Sequence, residues 1–244
     1  MFPLLKKEIG SFLGSLIGYI VIAVFLVSIG LFMWVFPSEE FNVLESGYAS
    51  IDTLFVLAPW VFMFLVPAIT MRSFSEEKRT GTIELLLTRP LTDSNIIWAK
   101  YFAGLLLVIF ALVPTLIYFY SVYQLGNPIG NIDTGGMWGS YIGLLFLAGG
   151  FVSIGIFSSS VTESQIIAFI LAVFLCFFIY VGFESISSLD LLGEVDGLIM
   201  KLGINEHYIS LSRGVIDTRD VIYFLSLIAL FHVLTNLSLK SRKW

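Results

Sequence analysis

The run FLGSLIGYIVIAVFLVSIGLFMWVF, residues Phe12 to Phe36, contains no charged side chain. A transmembrane helix needs about 20 predominantly apolar residues to cross the hydrocarbon of a bilayer, and this stretch is long enough. It is about twice as long as a signal-peptide apolar region and no small-residue cleavage pattern follows, so it is expected to be retained as an anchor. Five further charge-free stretches follow at about 54–71, 101–123, 137–157, 165–183 and 221–239. None shows the two-residue alternation of a membrane β-barrel strand. The expectation is an all-α integral membrane protein with six transmembrane helices, its residues 1–244 forming one transmembrane domain.

Composition points the same way. Of 244 residues 57% are hydrophobic and 13% charged, with a mean hydropathy of +0.94, whereas a soluble domain carries roughly 25% charged residues. Soluble enzymes, nucleic-acid binders and disordered chains are excluded, since 23 Phe among 16% aromatics could not be hidden in one water-soluble core. The single cysteine, Cys176, allows no internal disulfide, and no Cys/His spacing suggests a metal site.

Orientation follows from Lys and Arg. Ten of the 13 basic residues fall on one face: Lys6 and Lys7 before the first span, Arg72, Lys78, Arg79, Arg89 and Lys100 between the second and third, and Lys240, Arg242 and Lys243 after the last. The positive-inside tendency makes that face, and both termini, cytoplasmic. The other face holds Lys201, Arg213 and Arg219 and most of the acids. Trp34, Trp98 and Trp138 fall at the expected interfaces.

The spans are nearly free of ionisable groups, which argues against an ion-coupled transporter. His232 and Asn236, one turn apart in the last span, are expected to make interhelical hydrogen bonds rather than a proton relay. No His-Glu-x-x-His, Gly-x-Ser-x-Gly or paired intramembrane aspartate is present, so the chain offers no enzyme chemistry of its own. Gly10, Gly14 and Gly18 repeat every four residues, as do Gly139 and Gly143, a spacing that serves either a subunit interface or packing within the chain. Pro59, Pro67 and Pro114 are expected to kink or open their helices.

Two loops carry information. Between the second and third spans, residues 72–100, Ser75 can cap a short helix ended by Gly81, Thr82 can cap a second one stopped by Pro90, and Thr92 or Asp93 starts the next helix. This is either a knob for a cytoplasmic partner or a solvated loop that sets topology. Between the fifth and sixth spans, residues 184–220, Leu191, Leu192, Val195, Leu198, Ile199 and Leu202 recur at helical spacing. Asn205 as cap with Gly214 as terminator frames a second short helix, and Asp217 with Asp220 resembles a capping box for the last span.

The pattern Glu77-x-x-x-Gly81-Thr82-Ile83-Glu84-Leu85-Leu86-Leu87-x-x-Pro90 resembles the signature of ABC-2-type permeases. The likeness extends to Lys6-Lys7-Glu8, Ser158-Ser159-Ser160, His207-Tyr208 and Arg213-Gly214-Val215-Ile216-Asp217. More narrowly, Ile17-Gly18-Tyr19, Leu57-Ala58-Pro59-Trp60, Met71 to Ser75, Tyr123 to Pro128 and Ala168 to Phe178 are similar to the gliding-motility-associated permease subunit of Bacteroidetes-type bacteria.

That resemblance implies a type V exporter-like fold with an amphipathic N-terminal interface helix carrying Lys6, Lys7 and Glu8, and external re-entrant helices before the last span. It implies a coupling helix that engages an ABC ATPase through Glu76, Glu77, Lys78, Arg79, Gly81, Thr82, Glu84, Leu85, Leu86, Leu87 and Pro90. Ser159, Ser160 and Glu163 would make a second cytoplasmic contact, and Gly10, Gly14 and Gly18 are the candidates for subunit packing. The implied setting is the bacterial inner membrane, as a multi-pass protein. Partners would be the ATPase, which binds ATP and Mg on its own chain, and either a second gliding-associated membrane subunit or a second copy of this chain; no nucleic acid is involved. The lack of any Gly-x-x-x-x-Gly-Lys-[Ser/Thr] here agrees, because nucleotide then binds elsewhere. The competing reading is a non-transporting membrane scaffold for motility or secretion machinery.

Overall fold

A computed structural model of the chain describes residues 2–84, 92–189, 193 and 196–241. Among these residues the protein is helical, without a strand, and six of its helical stretches are long and apolar enough to cross a membrane.

The chain opens with α1 (Phe2–Leu13), an amphipathic helix whose Leu4, Glu8 and Phe12 share one face at a spacing of four while Lys6 and Lys7 face outward. The helix breaks at Gly14, and Ser15 caps α2 (Leu16–Trp34) by accepting from the Gly18 amide at 3.2 Å. The expected span over 12–36 is therefore two helices meeting at a corner, so Gly10, Gly14 and Gly18 do not form one continuous stripe. A Cβ on Gly18 would stand 2.5 Å from the Phe12 carbonyl oxygen, so Gly18 is needed by this chain's own corner.

α3 (Asp52–Thr70) is one uninterrupted helix that includes Pro59 and Pro67. Proline removes an amide and so orphans the carbonyl four residues earlier. For Pro59 that carbonyl belongs to Phe55, and the Tyr208 hydroxyl donates to it at 2.8 Å, replacing the missing bond. The short α4 (Ser75–Arg79) follows. α5 (Asp93–Leu112) starts where expected, at Thr92, whose side chain accepts from the Asn95 amide. Pro114 does interrupt the third span: a single tighter turn, Val113–Thr115, separates α5 from α6 (Leu116–Leu125).

The fourth span, α7 (Thr134–Val161), is the most buried of the six. It touches α3, α5, α8 (Gln165–Phe177) and the last helix, α12 (Thr218–Lys240). Its glycines are what allow this: Gly143 meets Leu211, Gly150 meets Leu227, and Gly155 meets Thr70 so closely that a Cβ would collide. Within a bilayer such backbone approach, not expulsion of water, holds helices together. The fifth span widens to a π-turn at Phe178–Gly182, which places Tyr180 between Trp60 and Phe151, and continues as α9 (Phe183–Ser187). α10 (Asp196–Met200) and α11 (Ile204–Ser212) fill the connection to α12. Of the helical pattern expected there, Leu198 and Ile199 lie in α10, whereas Leu191, Leu192 and Val195 lie outside the described residues. α2 and α8 are the least covered spans and turn rows of apolar side chains outward.

Candidate functional site

The side chains that the sequence singles out around 72–100 converge at one end of the bundle, around a buried lysine. Because α5 starts at Asp93, Lys100 sits two turns inside a helix, and its side chain is 0% exposed. A buried ammonium is tolerated only when paired and hydrogen-bonded. Lys100 Nζ donates to Glu8 Oε1 at 2.9 Å and to the Ser73 carbonyl at 2.5 Å, and lies 3.0 Å from Glu77 Oε2. It also stands 4.9 Å over the Phe74 ring, a cation–π contact. Glu77 in turn has Lys7 Nζ 3.4 Å from its other oxygen. The chain Lys7–Glu77–Lys100–Glu8 thus ties α4 to α1 and α5.

The other side of α4 is held by the end of α7 and the start of α8. The Phe74 amide donates to Ser159 Oγ at 2.7 Å, Lys78 donates to the Ser160 carbonyl, and the Gln165 amide group donates to Glu76. Ser238 of α12 donates to the same Ser160 carbonyl at 3.0 Å. Of the residues expected at a second cytoplasmic contact, Ser159 and Ser160 are buried within the chain and Glu163 is exposed. The expectation for Ser75 is corrected. It does not cap α4 but lies within it and turns its hydroxyl back to the Met71 carbonyl, a preference of serine inside helices.

What remains outside is a short exposed surface. Glu76 pairs with Arg79 at 2.9 Å, Gly81 ends the helix at φ +70°, and Arg79, Thr80, Gly81, Thr82 and Glu84 are exposed while Ile83 is buried. Of the expected coupling set, Glu77 thus faces inward, and Leu85, Leu86, Leu87 and Pro90 lie outside the described residues. Lys100, Phe74 and Gln165 are the participants that sequence reasoning missed.

At the opposite end α11 is clasped to α12. His207 Nδ1 lies 2.8 Å from Asp220 Oδ1, Ser210 donates to the other Asp220 oxygen, and the imidazole stacks on Tyr223 with ring centres 3.9 Å apart. His207 Nε2 meets the Lys201 carbonyl at 2.9 Å. The serine thus bonds the carboxylate and not the imidazole, so this trio does not activate a nucleophile. Asp217 caps α12 through the Arg219 amide at 2.9 Å; Asp220 does not reach back, and the capping-box expectation is corrected accordingly. Nor does Asn205 cap α11: it is the second helical residue and donates to Glu184 at 2.7 Å. Burial pushes the Tyr208 phenol well up from its ordinary value, so it stays a hydrogen-bond donor. An open cavity of about 550 Å³ lies at this end, with Asp52, Asp133 and Arg213 on its walls.

In the last span His232 does bridge helices, with Nε2 3.1 Å from Ser94 Oγ and its ring stacked on Trp98. Asn236 Oδ1 is buried and makes no hydrogen bond among the described residues.

A protein-family model described as "ABC-2 family transporter protein" matches residues 47–240, which is α3 through α12 and their connections. No curated protein matches the chain.

Proposed function

This chain belongs to the ABC-2 family of transporter proteins, and on that premise we propose that it is the membrane-spanning permease subunit of an ABC transporter of the bacterial inner membrane. ATP and Mg bind on a separate ATPase subunit, whose hydrolysis this subunit converts into export or into transmitted force. The observation that carries the reading is the two-sided anchoring of α4. Its inner side is fixed to α1 and α5 through Glu77 and Lys100 and to the end of α7 through Lys78 and the Phe74 amide just before it, while Arg79 to Thr82 and Glu84 stay exposed. A push delivered to that exposed surface reaches three spans as a rigid-body displacement rather than being lost in a loose loop. The coupling residues are then Glu76, Arg79, Gly81, Thr82 and Glu84, to which the sequence pattern adds Leu85, Leu86, Leu87 and Pro90, outside the described residues.

The finer reading is a subunit of the gliding-motility-associated class. It rests on the sequence likeness of Leu57 to Trp60 and Ala168 to Phe178, and pairs this chain with a second membrane subunit of the same class or with a second copy of itself.

The test is co-purification from the native host in mild detergent, followed by ATPase assay and mass spectrometry. An ATP-binding subunit accompanies the wild-type chain, and Glu84→Lys separates the two while the spans stay folded. Recovery of the chain with motility proteins and no ATPase would instead favour the scaffold reading.

A further inference from the structure

Between α1, α3 and α5, beside the buried charge network, lies a small cavity of about 50 Å³ walled by Glu8, Ser11, Arg72 and Lys100. The charges around it do not balance. On its walls Arg72 and Lys100 stand against Glu8, an excess of one positive charge. Lys100 donates to Glu8 and the Ser73 carbonyl and pairs with Glu77, so its part here is mainly the field it contributes. Arg72 is different: it makes no ion pair among the described residues, and its Nε is buried without a hydrogen-bond partner. A buried guanidinium N–H without an acceptor costs stability unless a ligand supplies one.

We propose that this cavity is a binding site for a phosphate group, held by the Arg72 guanidinium in the field of Lys100. Arginine's planar fork matches phosphate oxygens in the way it matches carboxylates, and the single surplus charge fits a phosphodiester monoanion. The apolar part of the wall, Phe12, Ile69 and Leu107, adjoins the polar part as glycerol and acyl chain adjoin a lipid headgroup. The cavity lies under the amphipathic α1, where a headgroup of the adjacent leaflet would stand, and basic pockets between helices at that depth suit anionic lipids. The ligand is thus a phosphate carried on an anionic lipid or a free phosphate of the same chemistry. A site here would load the joint between α1 and the segment that ends in α4.

The experiment uses the full chain purified in detergent, with thermal unfolding and native mass spectrometry as readouts, in the presence of phosphatidylglycerol, phosphatidylcholine or inorganic phosphate. Phosphatidylglycerol is expected to stay bound and raise the unfolding temperature, phosphatidylcholine is not, and Arg72→Gln weakens the binding about tenfold or more. Ser11→Asp, at an exposed position on the wall, weakens it in the same direction by repulsion and keeps the test decisive should the arginine variant fail to fold. If inorganic phosphate alone gives the shift and displaces the lipid, the site stands and its ligand is the free ion. Equal shifts with both lipids, or phosphatidylglycerol binding unchanged in both variants, overturn the proposal. No ATPase enters these measurements, so their outcome is independent of the transport reading.

Discussion

The Tyr208 hydroxyl donates at 2.8 Å to the carbonyl of Phe55, the one backbone acceptor in α3 that Pro59 leaves without its helical donor. A residue of the connection before the last span thereby repairs a defect in the second span, and α3 stays one helix through Pro59. The same bond fixes α11 to the top of α3.

This arrangement predicts a non-additive pair. Tyr208→Phe leaves the Phe55 carbonyl buried and unpaired and is expected to cost about 1–3 kcal/mol. In a Pro59→Ala background the helix supplies its own amide, and the same change should cost clearly less. Unfolding of the two single variants and the double variant in detergent gives the coupling directly.

Lys100 is expected to be the most sensitive polar position. Lys100→Met leaves Glu8 and Glu77 facing each other without their shared cation, at about 3–5 kcal/mol for breaking a buried pair. Adding Glu77→Gln removes one of the stranded charges and should recover part of the loss, as read by thermal unfolding.

The glycines separate cleanly. Gly155→Val would drive side-chain atoms into Thr70 and force α3 off α7, an overpacking cost of about 1–3 kcal/mol or more. Gly10→Ala meets nothing within 4 Å and lies in α1, so it should be neutral or stabilise by about 0.5–1 kcal/mol. Unfolding temperatures of the two variants decide it.

The clasp at the other end should be local. Asp220→Ala removes the partner of both His207 and Ser210, and amides of α11 are expected to exchange faster with deuterium while those of α2 do not change.

The six spans were legible because apolarity over a bilayer's thickness is a local property of the chain. Where one helix ends and the next begins was less so. The start of the third span's helix could be read at Thr92, but not that Lys100, two turns inside it, is buried, because that depends on its acceptors. Those acceptors, Glu8 and Glu77, come from segments 92 and 23 residues away in sequence, and no spacing rule links them. The four-residue glycine repeat at Gly10, Gly14 and Gly18 suggests a helix face, but the corner at Ser15 divides it. That Ser159 and Ser160 are buried was not legible, because the groups they bond, the Phe74 amide and the Lys78 ammonium, are distant in sequence. The Gly81 terminator and the Thr92 cap were legible, since both act on their own neighbours.

The central claim is that the exposed surface from Arg79 to Glu84 receives the ATPase. Photo-crosslinking in intact membranes of the native host tests it most directly, with a benzoylphenylalanine placed at Glu84 and, as the control on the opposite face, at Glu45. The account predicts a crosslink from position 84 to a protein carrying a nucleotide-binding Gly-Lys-[Ser/Thr] loop and none from position 45. No ATPase crosslink at 84, or an equal one at 45, would contradict it.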